Sequence, residues 1–270
     1  MGRRHAGCRS AGRLVVSEAL GTAPMTTHGQ GQAGPPQGEP PVDVSERGAN
    51  GQTSHRRLFM QLQVLTGVAE AKPLVAALEA SGVLGALYAD VNDPRGVGVL
   101  AFAEDPAFFA RDLRSLLAGE PFAGLIPRPE LTMLGRTYAP GFEPDLEDWL
   151  LHRPRRTVLN AAWPWAIWYP LRRAGAFARL SAQEQAGILR EHGTLGRGYG
   201  DADLAHDVRL ACHGLDTHDN DFVIGLVGRE LHPLSHLVHA MRKTSQTSSY
   251  LQSLGPFFIG HVLWQSAARA

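Results

Sequence analysis

Cysteine is nearly absent from this chain. Cys8 and Cys212 are the two in 270 residues. They are too few and too far apart for a disulfide framework, and a reducing compartment, the cytoplasm, is the expected setting. An excess of charge is missing as well. Lys+Arg and Asp+Glu both count 26, so no overall field selects nucleic acid or an anionic membrane as partner. No apolar run reaches the roughly 20 residues of a membrane-spanning helix. Residues 13–20 are too short and too interrupted for a secretory signal. Residues 1–54 are built from Gly, Pro, Gln, Ser, Thr and Arg, with GQGQAGPPQGEPP at their centre. Such a composition cannot bury enough surface to offset its ordering entropy, so a disordered N-terminal tail without chemistry is expected.

Ordered sequence is expected from residue 55. RLFMQLQVL alternates as a strand does; residues 73–82 read as a short helix, 87–90 and 96–102 as strands. Residues 105–117 read as a helix with Phe108, Phe109, Leu113 and Leu116 or Leu117 on one face, and 130–138 as a strand. This β-α-β-β-α-β order is that of a ferredoxin-like unit, spanning 55–142. A connecting segment, 143–160, carries a short acidic helix at 144–151 and the basic cluster HRPRR at 152–156. That cluster is either a solvated surface or a clamp for carboxylates. The plan then repeats over 161–266. WPWAIWYPL is a buried strand, 181–192 a helix, 207–213 and 221–227 two strands, 233–243 a helix and 257–264 a closing strand. The expected fold class is α+β, with two ferredoxin-like halves packed into a dimeric α+β barrel.

One helix stands out for chemistry. Ser181 and Glu184 form a capping-box start. Ile188 and Leu189 give the helix an apolar side, and His192, four and three residues on, projects from it. Gly193 is expected to end the helix, placing His192 in its last turn. The residues alone leave His192 either a metal ligand or a core or C-capping histidine. A second candidate is the row His232, His236 and His239, at zinc-ligand spacing on one helix. Leu234, Leu237, Val238 and Met241 form that helix's apolar stripe, which turns the histidines outward.

Four motifs in order resemble the chlorite dismutase family: EHG-x-x-GR-x-Y at 191–199, GLD-x-x-x-x-F at 214–222, the pair Met241-Arg242, and GPFFIG at 255–260. The resemblance covers about 56–264 and is strongest over 160–260. It implies a doubled ferredoxin-like fold, a homopentamer, and one haem or coproheme in each C-terminal half. It makes His192 the proximal iron ligand, which leaves the opposite face of the iron open to an oxidant. The ring nitrogen away from iron calls for an acceptor, which the sequence does not identify.

The resemblance also sorts the chemistry. Members that convert chlorite carry a distal arginine on the strand after the EHG helix. Ala205 stands at the matching position, so chlorite conversion is not expected. The actinobacterial coproheme decarboxylases are similar in having alanine there and use a distal histidine where His152 falls. Tyr169, in Trp168-Tyr169-Pro170-Leu171, resembles the decarboxylases' radical tyrosine. Arg173, Arg155 and Ser248 fall at or near the family's propionate contacts, and a tetracarboxylate ligand calls for such partners. The implied function is a haem-dependent oxidoreductase that uses hydrogen peroxide to decarboxylate coproheme to haem b. The alternatives are a peroxidase or haem carrier of the same fold and, further off, chlorite dismutation or a His-rich metal-binding protein.

Overall fold

The computed structural model describes residues 41–267. The chain separates into two units, Met1–Asp43 and Val44–Ala270, and every element below belongs to the second. Residues 1–40 of the expected tail lie outside the described residues, as does Cys8. The end of that segment is a correction: β1 (Glu46–Arg47) and β2 (Thr53–Ser54) pair as a hairpin. Polar anchors hold it in place of apolar ones. Glu46 accepts from Arg136 at 2.9 Å and from the Ala139 N–H at 3.0 Å. Gln52 donates to the Pro144 carbonyl at 2.8 Å and accepts from the Leu146 N–H at 3.1 Å. Composition measures apolar content and misses such long-range hydrogen bonds.

The first half follows the expected order: β3 (Phe59–Thr66), α1 (Lys72–Ser81), β4 (Gly85–Asp90), β5 (Val97–Ala103), α2 (Arg114–Ala118), the short β6 (Ile126–Pro127) and β7 (Met133–Arg136). A π-helical turn, Phe109–Leu113, leads into α2. The connecting segment forms another, Asp148–His152, which runs into α3 (Arg153–Val158). The basic cluster is therefore helical. Pro154 lies in the first turn of α3, where a missing N–H is tolerated. The second half contains β8 (Trp165–Arg173), α4 (Gly175–Ala178), α5 (Ala182–Asp201), β9 (His206–Ala211), β10 (Phe222–Gly228), α6 (Leu231–Met241), α7 (Ser245–Tyr250), β11 (Leu251–Leu254) and β12 (Phe258–Gln265). The sequence reading contained neither α7 nor β11.

Both halves place their strands in the same order, fourth-first-third-second: β7-β3-β5-β4 and β12-β8-β10-β9. Two seams join them. β12 pairs β4 over five positions, from Gly260↔Asp90 to Gln265↔Ala86, and β7 meets β9 at Arg136↔Ala211. Eight antiparallel strands thus close a ring, the expected barrel. Its interior holds Met60, Leu62, Tyr88, Leu100, Trp168, Leu210 and Phe258, drawn from both halves. Trp168 fits there because β10 has Gly225 beside it: a Cβ at that position would lie 2.5 Å from the indole ring.

Strand alternation sends the other side chains of β8 outward. Ile167, Tyr169 and Leu171 join Ala205, Leu226, Leu234 and Leu237 in a separate buried cluster, covered by the helices of the second half. The helix α5 differs from expectation. It does not stop at Gly193 but continues to Asp201, ending where Asp203 turns left-handed at φ 55°. Glycine costs a helix only about 1 kcal/mol, and the capping box at Ser181 and Glu184 forms as expected. His192 consequently sits in mid-helix. No residue of α5 is fully buried.

Candidate functional site

The site lies between the outer face of β8, β9 and β10 and the helices α5 and α7. His192 faces inward from α5, and its Nδ1 lies 3.2 Å from Thr244 Oγ1, at the start of α7. The neighbouring Glu191 accepts from the Ser245 N–H at 3.1 Å. Burial lowers the His192 pKa to about 4, and the positive charges of Arg209 and Arg173 push the same way, against Asp207 and Glu191. The imidazole is therefore neutral at ordinary pH and keeps one nitrogen lone pair for a metal.

Tyr169 projects from the middle of β8. Its ring packs against Phe257 at 4.7 Å between centroids. Burial and then the Asp207 carboxylate raise the phenol's pKa, with Arg242 opposing, so the hydroxyl keeps its proton. Register places Ile224 beside both Tyr169 and Arg209, putting the three on one sheet face. Ala205, just before β9, is buried in the same cluster as Tyr169.

Arg173 ends β8. Its guanidinium lies 4.7 Å from the ring centres of both Phe177 and Phe222. Its backbone N–H donates to Asp221 at 2.7 Å, while Nε is buried with no hydrogen-bond partner. Burial lowers its pKa, and Tyr138 and Asp221 oppose the shift. A half-paired, desolvated guanidinium is a ready partner for a carboxylate.

Asp207 acts electrostatically on both His192 and Tyr169, and Arg173 and Arg209 act on His192. The structure places the other expected residues differently. His152 is exposed at the end of its π-helical turn, where it acts electrostatically on Asp148. Arg155 donates to Glu104 at 3.1 Å, at the end of β5, and Glu104 also binds Arg56. Ser248 is exposed, and its hydroxyl donates to the Thr244 carbonyl at 2.9 Å, one turn from His192's neighbour. The outward histidines are exposed, and Tyr199 reaches His236 at 2.5 Å. Among the described residues, no group of three or more His, Cys, Asp or Glu could hold a metal ion.

Several site residues escaped the sequence reading. Asp207 and Arg209 alternate along β9 and so share the Tyr169 face, a period-two signal that was available. Arg209 forms an ion pair with Asp207, with Nε 2.6 Å from the carboxylate but not aligned for a hydrogen bond, and lies over Trp149. Thr244 left no local signal, because its role depends on how α7 docks.

Comparison with known proteins agrees with this architecture. The chlorite dismutase family model matches residues 136–263. Among solved structures, a haem-binding protein from Thermus thermophilus is 20% identical, with a TM-score of 0.60 over 77% of this chain and 92% of that one. Chlorite dismutase from Candidatus Nitrospira defluvii, in complex with imidazole, is 14% identical, with a TM-score of 0.58 over the same 77% and 92%. At these identities the likeness concerns the fold. No curated protein matches.

Proposed function

From the match of residues 136–263 to the chlorite dismutase family model, we propose that the chain is a member of that family and a cytoplasmic haem-dependent oxidoreductase. Its substrate in this reading is coproheme, its oxidant hydrogen peroxide, and its product haem b. No helix among the described residues is long and apolar enough to cross a membrane. The observation that supports the reading is a neutral, largely buried His192 that feels the charge of Arg173, at the end of the strand whose middle residue Tyr169 lies in the apolar cluster.

The residues suit an iron porphyrin that bears carboxylates. His192 offers a neutral imidazole for the axial bond. The unpaired Nε of Arg173 offers a charge-assisted hydrogen bond to a propionate. The apolar cluster around Ile167 and Leu226 provides the bed. When bound, such a group supplies one-electron oxidising power drawn from peroxide. Tyr169 would give up its phenol hydrogen, as electron plus proton, and recover one from the propionate carbon; loss of a second electron from that carbon to the peroxide-derived oxidant would release carbon dioxide and leave a vinyl group, two electrons for each peroxide. Its raised pKa suits this role, because a phenolate has no hydrogen to give.

Ala205 has no charge to hold an oxyanion, and the charge of Arg209 is offset by its ion pair with Asp207. Both features favour peroxide chemistry over chlorite conversion. A second reading, a haem carrier or peroxidase of the same fold, draws on one observation: His152, the expected peroxide base, is exposed. The deciding experiment incubates pure protein with iron coproporphyrin III and peroxide and follows porphyrin mass. Loss of two carboxyl groups supports decarboxylation; binding and peroxide consumption without mass loss supports the second reading.

A further inference from the structure

We propose that Thr244 is a positioning residue that fixes the tautomer of His192, keeping the ring proton on Nδ1 and leaving the Nε2 lone pair free for iron. The inference rests on the reading of His192 as axial ligand and adds the group that prepares the ring for that bond.

A neutral imidazole has one N–H and one lone pair, and the partner of one nitrogen decides which is which. Thr244 Oγ1 has a single proton and two lone pairs. The proton has its best acceptor in the Met241 carbonyl, at 2.8 Å; Thr247 Oγ1 is farther, at 3.4 Å. At 3.2 Å, His192 Nδ1 therefore meets an oxygen lone pair and must be the donor. Thr244 is 5% exposed, so little water competes for the contact.

The hydroxyl is held from several directions. The Thr244 backbone N–H donates to Met241, and the Thr244 carbonyl accepts from the Ser248 N–H at 2.9 Å. Glu191 then secures the next residue, Ser245, through its backbone N–H. Two consecutive residues of α5, Glu191 and His192, thus hold the N-cap and the first residue of α7, Thr244 and Ser245. The acceptor is also neutral. It orients the ring without adding the negative charge that a carboxylate partner would share with the ligand nitrogen.

The test uses the apoprotein and the haem-loaded protein separately. In 15N-histidine-labelled apoprotein, long-range proton–nitrogen correlation near neutral pH reads the His192 tautomer directly. Wild type is expected to be mainly Nδ1–H. Thr244→Val, which keeps the shape and removes the acceptor, should change the tautomer ratio roughly fivefold toward Nε2–H, the equivalent of one net hydrogen bond. Thr244→Ser should restore the wild-type pattern. Mainly Nε2–H in wild type, or an unchanged ratio in folded Thr244→Val, overturns the proposal. If Thr244→Val does not fold, the wild-type tautomer decides. In the ferrous haem-loaded protein, the iron–histidine stretch should fall in Thr244→Val and stay in Thr244→Ser. Absence of that stretch in wild type, with Nδ1–H confirmed in apoprotein, would sink the ligand reading and leave the tautomer inference standing.

Discussion

Arg153 and Asp207 meet at 2.7 Å, joining the first turn of α3 to β9. The pair links the connecting segment to the strand that carries charge to the candidate site. Asp207 acts on both His192 and Tyr169, so a residue outside the barrel half helps to set the charge within it.

Asp207→Asn tests that link. Burial works to raise the Asp207 pKa, but Arg209 and Arg153 overcome it and hold the carboxyl below its ordinary value. A depressed folded pKa gives stability that is present above the unfolded pKa and is lost as pH falls through the folded one. The side chains are 30% and 31% exposed, so the loss near neutral pH should be modest, about 1 kcal/mol. Urea denaturation at several pH values should show wild type losing more stability than Asp207→Asn below about pH 4. Parallel acid limbs would refute the coupling.

Arg173 and Arg155 should part company in ligand binding. Arg173 is half-buried with a free Nε between two phenylalanines; Arg155 also has an unpaired Nε, but its guanidinium is already paired with Glu104. Arg173→Gln should weaken iron coproporphyrin binding by about tenfold or more, the loss expected for one charge-assisted hydrogen bond. Arg155→Gln should leave the affinity nearly unchanged and lower the unfolding midpoint slightly. Fluorescence-quenching titration measures the first and thermal melts the second. Equal losses in affinity would place Arg155 at the site after all.

Tyr169→Phe should separate binding from turnover. Its ring still packs on Phe257, so stability should change by less than about 1 kcal/mol. Iron coproporphyrin should bind and peroxide should be consumed, while carbon dioxide release stops. Mass spectrometry of the porphyrin reads this outcome. Wild-type decarboxylation in the variant would remove Tyr169 from the mechanism.

Gly225→Ala probes the barrel interior. The new methyl would lie 2.5 Å from the ring of Trp168, which is fully buried. Overpacking of this kind costs about 1–3 kcal/mol. Chemical denaturation should show a lower midpoint with the slope unchanged. A midpoint equal to wild type would mean that the indole can move aside.

The sequence by itself determined the main strands and helices of the two halves and their order, though not the hairpin at 46–54, α4, α7 or β11. Alternation in RLFMQLQVL and WPWAIWYPL and the capping box at Ser181 are local signals, and β3, β8 and the start of α5 appear where those signals lie. The motif resemblance pointed to His192, Tyr169 and Arg173 as candidate site residues. Local signals do not report docking. They missed the hairpin at 46–54, because its anchors, Arg136 and Pro144, lie some 90 residues away. They ended α5 at Gly193, because a glycine's preference is small beside the continuing hydrogen-bond ladder. Only the closed barrel decided that Asp207 and Arg209 share a face with Tyr169, that Arg155 turns to Glu104 instead, and that Thr244 lies under His192. Each of those is a contact between segments distant in sequence, set by strand register and helix packing, and no local pattern of residues specifies it.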